Sequence, residues 1–158
     1  MKQKVLIQVW GKAGSGKSST IKIVEQEIIK KYIAPGHTYT LPLPKGDIHN
    51  KHVFTVVVDD GERIFKVGLC SEGDYLNSRV KAKLDDFFND CDIIIAASRV
   101  YNDVNKYLET NSDALGFRRI KVTNYREKGA TDTTQLNLNE LSAKHIFQLF
   151  NELIADRI

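Results

Sequence analysis

Two hydrophobic patterns alternate along the chain, one typical of buried strands and the other of amphipathic helices. Short runs rich in valine and isoleucine, bounded by glycine, proline or polar residues, predict five strands. These runs lie at residues 4–10, 53–58, 63–70, 91–98 and 119–123. The fourth run (CDIIIAAS) is apolar almost throughout, which is typical of a strand that a parallel sheet buries on both faces.

Apolar residues at helical spacing predict four helices between and after these strands. The first begins at Lys17 and ends before the Ala-Pro-Gly sequence at 34–36, because proline and glycine cannot continue it. Its predicted buried face consists of Ile21, Val24, Ile28 and Tyr32. The other helices are predicted at residues 77–90, 100–108 and 139–156, the last with Asn139 as its N-cap after a polar stretch at 124–137.

The order of these elements predicts an α/β fold. Strands alternate with helices except at Asp60-Gly61, a type I′ turn signal that predicts a β-hairpin. Right-handed crossovers then give a mostly parallel five-stranded sheet, with one antiparallel hairpin strand and helices on both faces. Residues 37–51 show no periodicity and contain two prolines, which predicts a long irregular loop. The length fits a single domain, 1–158.

Composition narrows the class of protein. Lysine and arginine exceed aspartate and glutamate by only three and are scattered, so we expect no nucleic-acid partner. The apolar runs are too short to cross a membrane, and the first residues do not resemble a secretory signal, so we expect a cytoplasmic protein without a membrane partner.

Cysteine and histidine spacing does not favour a metal site. Cys70 and Cys91 are 21 positions apart and form no C-x-x-C pair. His37, His49 and His52 lie close together in the sequence but lack cysteine or carboxylate partners at ligand spacing. We therefore expect exposed loop histidines at these positions.

Residues 11–18 (GKAGSGKS) match the pattern G-x-x-x-x-G-K-[ST], known as the P-loop or Walker A motif. A strand is predicted directly before the match and a helix directly after it, which is the context that the motif requires. Glycines let the backbone curl so that successive N–H groups point into one concavity at a helix N-terminus, where phosphate binds. The motif therefore predicts a phosphate-binding loop.

The positions of this loop have different expected roles. Lys17 would bridge the β- and γ-phosphates, and the Ser18 hydroxyl would bind Mg²⁺. Lys12 would add positive charge near the phosphates. The full predicted phosphate-binding set is Gly11, Lys12, Ala13, Gly14, Ser15, Gly16, Lys17, Ser18 and Ser19.

Phosphoryl transfer also needs an acidic group near the metal, and two places are candidates. The sequence VVVDD, which ends at Asp59 and Asp60, looks like a Walker B strand, although Asp60-Gly61 favours a hairpin turn with both carboxylates at its tip. Glu72 and Asp74 follow the third predicted strand and would reach the phosphates if that strand lay beside the first. The other interpretation of these two residues is an acidic loop that caps the next helix.

A cation would stabilise the charge on the transferred phosphoryl group. Arg99 follows the fourth predicted strand and would emerge at the same edge of the sheet; Arg79 is the alternative. A solvated surface arginine is an equally simple interpretation of either residue. The predicted catalytic set is Lys17, Glu72, Asp74 and Arg99.

With GKAGSGKS placed directly after VLIQVW, the chain resembles the P-loop NTPase superfamily. The order of its elements is similar to that of compact Ras-like GTPases, and equally to that of small P-loop kinases, in which residues 37–51 or 130–137 would cover an acceptor. The segments GLCSEGDYLNSR and AASR also resemble small uncharacterised bacterial P-loop proteins. The resemblance implies a three-layer P-loop NTPase fold that binds a nucleoside triphosphate and Mg²⁺.

Two motifs of the Ras-like GTPases are altered. Cys70 stands where D-x-x-G has its aspartate, and residues 123–126 (TNYR) lack the lysine and aspartate of N-K-x-D. The missing guanine-reading carboxylate favours ATP, with GTP as the alternative. Tyr125 and Arg126, after the last strand, are predicted to flank the base.

The expected function is that of an ATP-binding P-loop NTPase that hydrolyses or transfers the γ-phosphate. Two alternatives stay open. One is a kinase that acts on a nucleotide or another small molecule, and the other is a non-catalytic sensor or regulatory module that changes protein partners with the bound nucleotide. The altered D-x-x-G motif favours the sensor, and neither a small acceptor nor a protein partner is identified by the sequence.

Overall fold

The computed structural model describes residues 3–44 and 53–158. The strands of this part of the chain are β1 (Val5–Trp10), β2 (Val53–Val58), β3 (Arg63–Cys70), β4 (Ile93–Ser98) and β5 (Arg118–Thr123). The α-helices are α1 (Lys17–Ile28), α2 (Ser78–Asp90), α3 (Asp103–Ala114) and α4 (Asp132–Ile154). The predicted order of strands and helices is confirmed.

The five strands form one mixed sheet in the order β2-β3-β4-β1-β5. β1 runs parallel to β4 and β5, β3 runs parallel to β4, and β2 pairs with β3 in the antiparallel direction. Every residue of the central strand β4 is buried, as its apolar run predicts. The fold is therefore α/β, with a mostly parallel sheet and one antiparallel pair.

Helices cover both faces of the sheet and separate two cores. On one face α1 and α4 pack on alternate strand residues such as Ile7, Ile95 and Val67. On the other face α2 and α3 pack on the intervening residues, including Leu6 and Ile94. Adjacent residues of one strand face opposite cores because side chains alternate across a sheet, and the result is a three-layer arrangement.

The first helix changes its geometry before it ends. α1 is α-helical to Ile28 and continues as one π-helical turn over Ile29–Ile33, closed by the Ala34 N–H donating to the Ile29 carbonyl. Tyr32, predicted on the buried face, is half-buried against Phe147 and Phe150 of α4, with ring centroids 6.5 and 6.0 Å away. The predicted end before Ala-Pro-Gly is confirmed.

The predicted bounds of two helices were wrong. The third helix, predicted at 100–108, covers 103–114, because the Asn102 side chain accepts the Asn105 N–H at 2.9 Å and caps it there. The last helix was predicted to begin after Asn139, but it begins at Asp132 with Thr131 as its N-cap. Asn139 lies buried within α4 and its Oδ1 accepts a hydrogen bond from Gln135 at 2.9 Å. The Thr131 side chain accepts the Thr134 N–H at 3.2 Å, and this cap starts the helix in a stretch whose residues are mostly polar.

Within the described ranges, none of the helices has both the length and the apolar character needed to cross a membrane.

Candidate functional site

The carboxyl ends of β1, β4 and β3 meet at one edge of the sheet. The parallel register places Trp10 beside Ser98 and Cys70 beside Ala96, so the segments that follow these three strands converge. The condition set for Glu72 and Asp74, that the third strand lie beside the first, is not met, because β4 is inserted between β3 and β1. The shared direction of the three strands still brings residues 71–74 to the edge where the glycine-rich loop lies.

The glycine-rich loop, residues 11–18, joins β1 to α1 through two left-handed positions. The Gly11 N–H donates to the Ser98 carbonyl at 3.2 Å, which fixes the start of the loop on β4. Gly14 and Gly16 have φ of 69° and 81°, values that glycine adopts without steric cost. The helical hydrogen bonds begin with the Thr20 N–H donating to Gly16 O, so the N–H groups of the preceding turn lie at a positive helix end.

The Lys17 ammonium lies inside the curl of this loop. Its Nζ donates to the carbonyl oxygens of Gly11 at 3.1 Å and Lys12 at 2.7 Å, and to Ser15 Oγ at 3.3 Å. Lys17 is only 6% exposed. Burial lowers the pKa of this ammonium, the Asp74 carboxylate opposes that effect, and Arg99 and Arg126 lower the pKa further. Three charged residues from three other segments therefore act on the charge of Lys17 at this edge.

Two asparagines support the loop from the side of β5 and α4. Asn124 Nδ2 donates to the Ser15 carbonyl at 3.2 Å and to Thr20 Oγ1 at 2.6 Å. Asn139 lies against Gly16 so closely that a Cβ at that position would overlap its side-chain amide. Neither supporting role was predicted from the sequence, although Asn124 directly follows a predicted strand, which was the signal available for it.

The segment after β3 is attached directly to the glycine-rich loop. Ser18 Oγ donates to the Ser71 carbonyl at 2.7 Å. Gly73 lies so close to β4 that a Cβ there would stand 2.5 Å from the carbonyl carbon and oxygen of Ala97, so glycine is required. Asn102 Nδ2 donates to the Gly73 carbonyl at 2.8 Å and holds the segment in place.

The predicted acidic and basic residues separate into two groups. Asp74 Oδ1 accepts from Arg99 Nε at 3.0 Å, so the structure brings these two predicted residues together near Lys17. Glu72 instead pairs with two cations of α2: one carboxylate oxygen accepts from Lys83 at 3.1 Å and the other from Arg79. Asp74 is thus the carboxylate that acts on the Lys17 charge.

Asp59 and Asp60 lie at the opposite edge of the sheet. They follow β2, which runs against the other strands, and φ of 54° at Asp60 and 100° at Gly61 fits the predicted type I′ turn. This turn sits in a four-residue connection between Val58 and Arg63. The hairpin interpretation is confirmed, and the interpretation of VVVDD as a metal-binding strand end beside the loop is wrong, because antiparallel pairing reverses β2.

Residues predicted near the base are placed differently from one another. The Tyr125 N–H donates to Ser142 Oγ at 2.9 Å, and its hydroxyl lies 2.8 Å from His145 Nδ1, so the tyrosine packs on α4. Arg126 is near enough to Lys17 to lower its pKa.

The other histidines singled out in the sequence lie apart from this edge or outside the described residues. His37 Nε2 lies 2.7 Å from Gln26 Oε1, whereas His49 and His52 are outside the described residues.

Within residues 3–44 and 53–158, no group of three or more His, Cys, Asp or Glu side chains is arranged to hold a metal ion. Mg²⁺ bound to a nucleotide does not need such a group, since it keeps several waters and takes one or two protein oxygens together with phosphate oxygens. The exposed Ser18 hydroxyl and the Asp74 carboxylate are oxygen donors of that kind at the same edge.

Comparison of the chain with protein-family models, with curated proteins and with solved structures found no match. The functional assignment therefore depends on the chemistry of this edge of the sheet.

Proposed function

We propose that the chain binds a nucleoside triphosphate together with Mg²⁺ at residues 11–19 and hydrolyses or transfers its γ-phosphate. One observation carries the proposal: the Lys17 ammonium is buried within a glycine-rich loop at the amino end of α1. A buried ammonium that is hydrogen-bonded to neutral groups alone is costly. A polyphosphate at the helix end would supply the negative charge that this arrangement attracts.

The roles of the loop residues follow from their positions. The backbone N–H groups of the loop and of the first turn of α1 would bind phosphate oxygens, and Lys17 would exchange carbonyl partners for the β- and γ-phosphates. Ser18 donates its proton to Ser71 O, which leaves its oxygen lone pairs able to bind a cation. When bound, Mg²⁺ would neutralise charge between the β- and γ-phosphates.

Asp74 and Arg99 are the proposed catalytic pair. Their side chains are joined by one hydrogen bond and are 57% and 35% exposed, so both can reach a ligand after small side-chain rotations. Arg99 would stabilise charge on the transferred phosphoryl group, and Asp74 would orient the nucleophile or a water on Mg²⁺. Glu72 would act indirectly by fixing the segment to α2.

ATP is the proposed nucleotide and GTP the alternative. Asn124 is held against the loop, but the chain lacks the lysine and aspartate that read guanine in the Ras-like GTPases. A nucleotide-dependent sensor is a second candidate, and one observation favours it: Glu72 and Asp74 are both engaged in ion pairs with cations of the chain. In a sensor these pairs would persist and turnover would be absent.

The test has two measurements. Calorimetry with ATP, GTP and ADP, each with Mg²⁺, should show micromolar or tighter binding of ATP, and absence of binding of all three would overturn the proposal. Phosphate release should then fall at least about 100-fold in Arg99→Ala with ATP affinity nearly unchanged. Lys81→Ala, an exposed residue of α2 paired with Asp85, serves as the matched control. Stoichiometric retention of intact ATP would support the sensor, and phosphate transfer only when an acceptor is added would support the kinase.

A further inference from the structure

A cavity of about 190 Å³ borders the first turns of α1, next to the glycine-rich loop. It lies between α1, the segment that follows the π-helical turn, and α4. Its walls include Ser19, Lys22, Leu41, Pro42, Leu43 and Leu136. A larger cavity of about 480 Å³ adjoins it through the shared residue Ile23 and extends between α1 and α4.

Ser18 and Ser19 face different sides of the loop. Successive residues of an α-helix point about 100° apart. Ser18 points toward Ser71, on the side of Asp74 and Arg99, whereas Ser19 lines the small cavity. The charged pair and the mouth of this cavity therefore lie on different sides of the first turn of α1.

The walls of the cavity suit a flat and largely apolar group. Leu41, Pro42 and Leu43 form one side, and Leu136 of α4 contributes to the other. Ser19 and Lys22 supply hydroxyl and ammonium groups on the α1 side, which suits the polar atoms of a sugar or ring. Apolar walls with a few polar groups at the rim are typical of sites that hold an aromatic ring joined to polar substituents.

We propose that this cavity, between residues 41–44 and Leu136, holds the base and ribose of the nucleotide. The proposal rests on the proposed function, since it needs the polyphosphate in the loop. It replaces the earlier expectation for Tyr125, whose backbone and hydroxyl are both engaged with α4. The ligand class is a nucleoside triphosphate whose base is held by apolar contacts, and none of the described residues that line the cavity carries a carboxylate to read guanine.

The test compares Mg·ATP with inorganic tripolyphosphate plus Mg²⁺ by calorimetry. Leu136→Asp should weaken ATP binding at least about tenfold, because burial of a carboxylate against the base is unfavourable, and should change tripolyphosphate binding less than twofold. Leu141→Asp, on the same helix but lining the larger cavity, should change neither. Leu136→Ala, which adds no charge, should weaken ATP about fivefold and guards against misfolding of the aspartate variant.

The outcomes separate the two proposals. If the unmodified chain binds neither ATP nor tripolyphosphate, the proposed function fails. If both bind and Leu136→Ala and Leu136→Asp leave the ratio of their affinities unchanged, the cavity does not hold the base and this inference is overturned. The inference would also be overturned if the Leu136 variants lost phosphate transfer to an acceptor but kept their ATP affinity, because the cavity would then be an acceptor site.

A second measurement locates the base directly. Photolabelling with 8-azido-ATP, followed by mass spectrometry, should modify residues 41–44 or Leu136. Excess ATP should suppress that label. Labelling confined to Tyr125 and its neighbours would contradict the inference while leaving phosphate binding in the loop intact.

Discussion

Two glycine turns lie at opposite edges of the sheet, and each follows an apolar strand. One follows β1 (VLIQVW) and contains Gly14 and Gly16; the other follows β2 (VFTVVV) and contains Asp60 and Gly61. Both turns need positive φ values, and both sequences suggest phosphate or metal chemistry. They differ in what surrounds them once the chain has folded.

The turn after β1 is enclosed, and the turn after β2 is open. A Cβ at Gly16 would overlap Asn139, whereas a Cβ at Gly61 would meet nothing within 4 Å. Asp74, Arg99 and Arg126 act on the charge of Lys17 in the first turn. The second turn is tied to the end of α4 by Arg63, whose Nη1 donates to the Ile154 carbonyl at 2.7 Å. Strand direction places the two turns at opposite edges, and the residues that surround each turn there separate a candidate site from a structural turn.

The largest expected difference between the turns is in stability. Gly16→Ala should lower the free energy of unfolding by about 4 kcal/mol, because positive-φ strain and overlap with Asn139 each cost roughly 1–3 kcal/mol. Gly61→Ala carries only the strain and should cost about 1 kcal/mol. Urea denaturation measures both values. In the double variant Gly16→Ala/Asn139→Ala, the part of the stability loss that comes from overlap with Asn139 should be recovered. Equal losses for Gly16→Ala and Gly61→Ala would show that the first turn is not enclosed.

Substitutions in the two turns should differ in their effect on ATP affinity. Lys17→Ala should weaken ATP binding by about 100-fold, the value of several charge-assisted hydrogen bonds. Asp60→Asn, which tolerates the left-handed conformation, should change the affinity less than about twofold. Calorimetry with Mg²⁺ present measures both. Unchanged affinity in a folded Lys17→Ala protein would exclude the loop as the phosphate site.

The pH dependence of the Lys17 ammonium gives a smaller effect with a defined sign. Because burial lowers its pKa in the folded protein, the native state releases this proton at lower pH than the unfolded chain does. Its contribution to the free energy of unfolding therefore rises with pH between the lowered value and the ordinary value of 10.5.

ATP affinity should change in the opposite direction over that window. It should fall by up to about tenfold per pH unit, since phosphate binds the protonated form. Both contributions of Lys17 are measured as differences between the unmodified protein and Lys17→Ala. Denaturation at several pH values gives the contribution to the free energy of unfolding, and calorimetry gives the contribution to ATP affinity. A stability term that falls with rising pH in this window would contradict the burial of the ammonium.

The smallest expected effect is at the hairpin edge. Arg63→Ala removes a hydrogen bond to the Ile154 carbonyl and one to Asp59 Oδ2 at 2.6 Å, both on a half-buried side chain. The free energy of unfolding should fall by about 1 kcal/mol. ATP affinity should not change. A loss of affinity would show that the two edges are coupled through α4.

Local features of the sequence predicted much of the fold. The bounds of β2 and β3 match the prediction, because branched apolar runs bounded by turn residues specify strands locally. Asn77, which begins the predicted second helix, caps α2 by accepting the Val80 N–H at 2.9 Å. The start of α4 was missed because five of the seven residues 132–138 are polar, and the Thr131 side chain that caps the helix there was not recognised as an N-cap.

The candidate site also combines features that the local sequence predicts with features that it does not. The glycine-rich loop was visible as a contiguous motif, but Asn124 and Asn139 are separated from it by more than 100 residues, and nothing in the loop sequence indicates which distant side chains support it. The pairing of Asp74 with Arg99, and of Glu72 with α2, depended on which way each side chain turned at the end of its strand. Those orientations are properties of packing.

The amino-acid sequence by itself determined where strands and turns form and that residues 11–18 curl around a lysine, since these features depend on neighbours along the chain. Tertiary structure alone decided that β4 lies between β1 and β3 and that β2, rather than β3, is the hairpin strand antiparallel to the others. Those two facts placed Asp74 and Arg99 beside Lys17 and moved Asp60 to the far edge. The physical reason is that strand pairing and direction are chosen by burial of whole faces, which no short segment encodes.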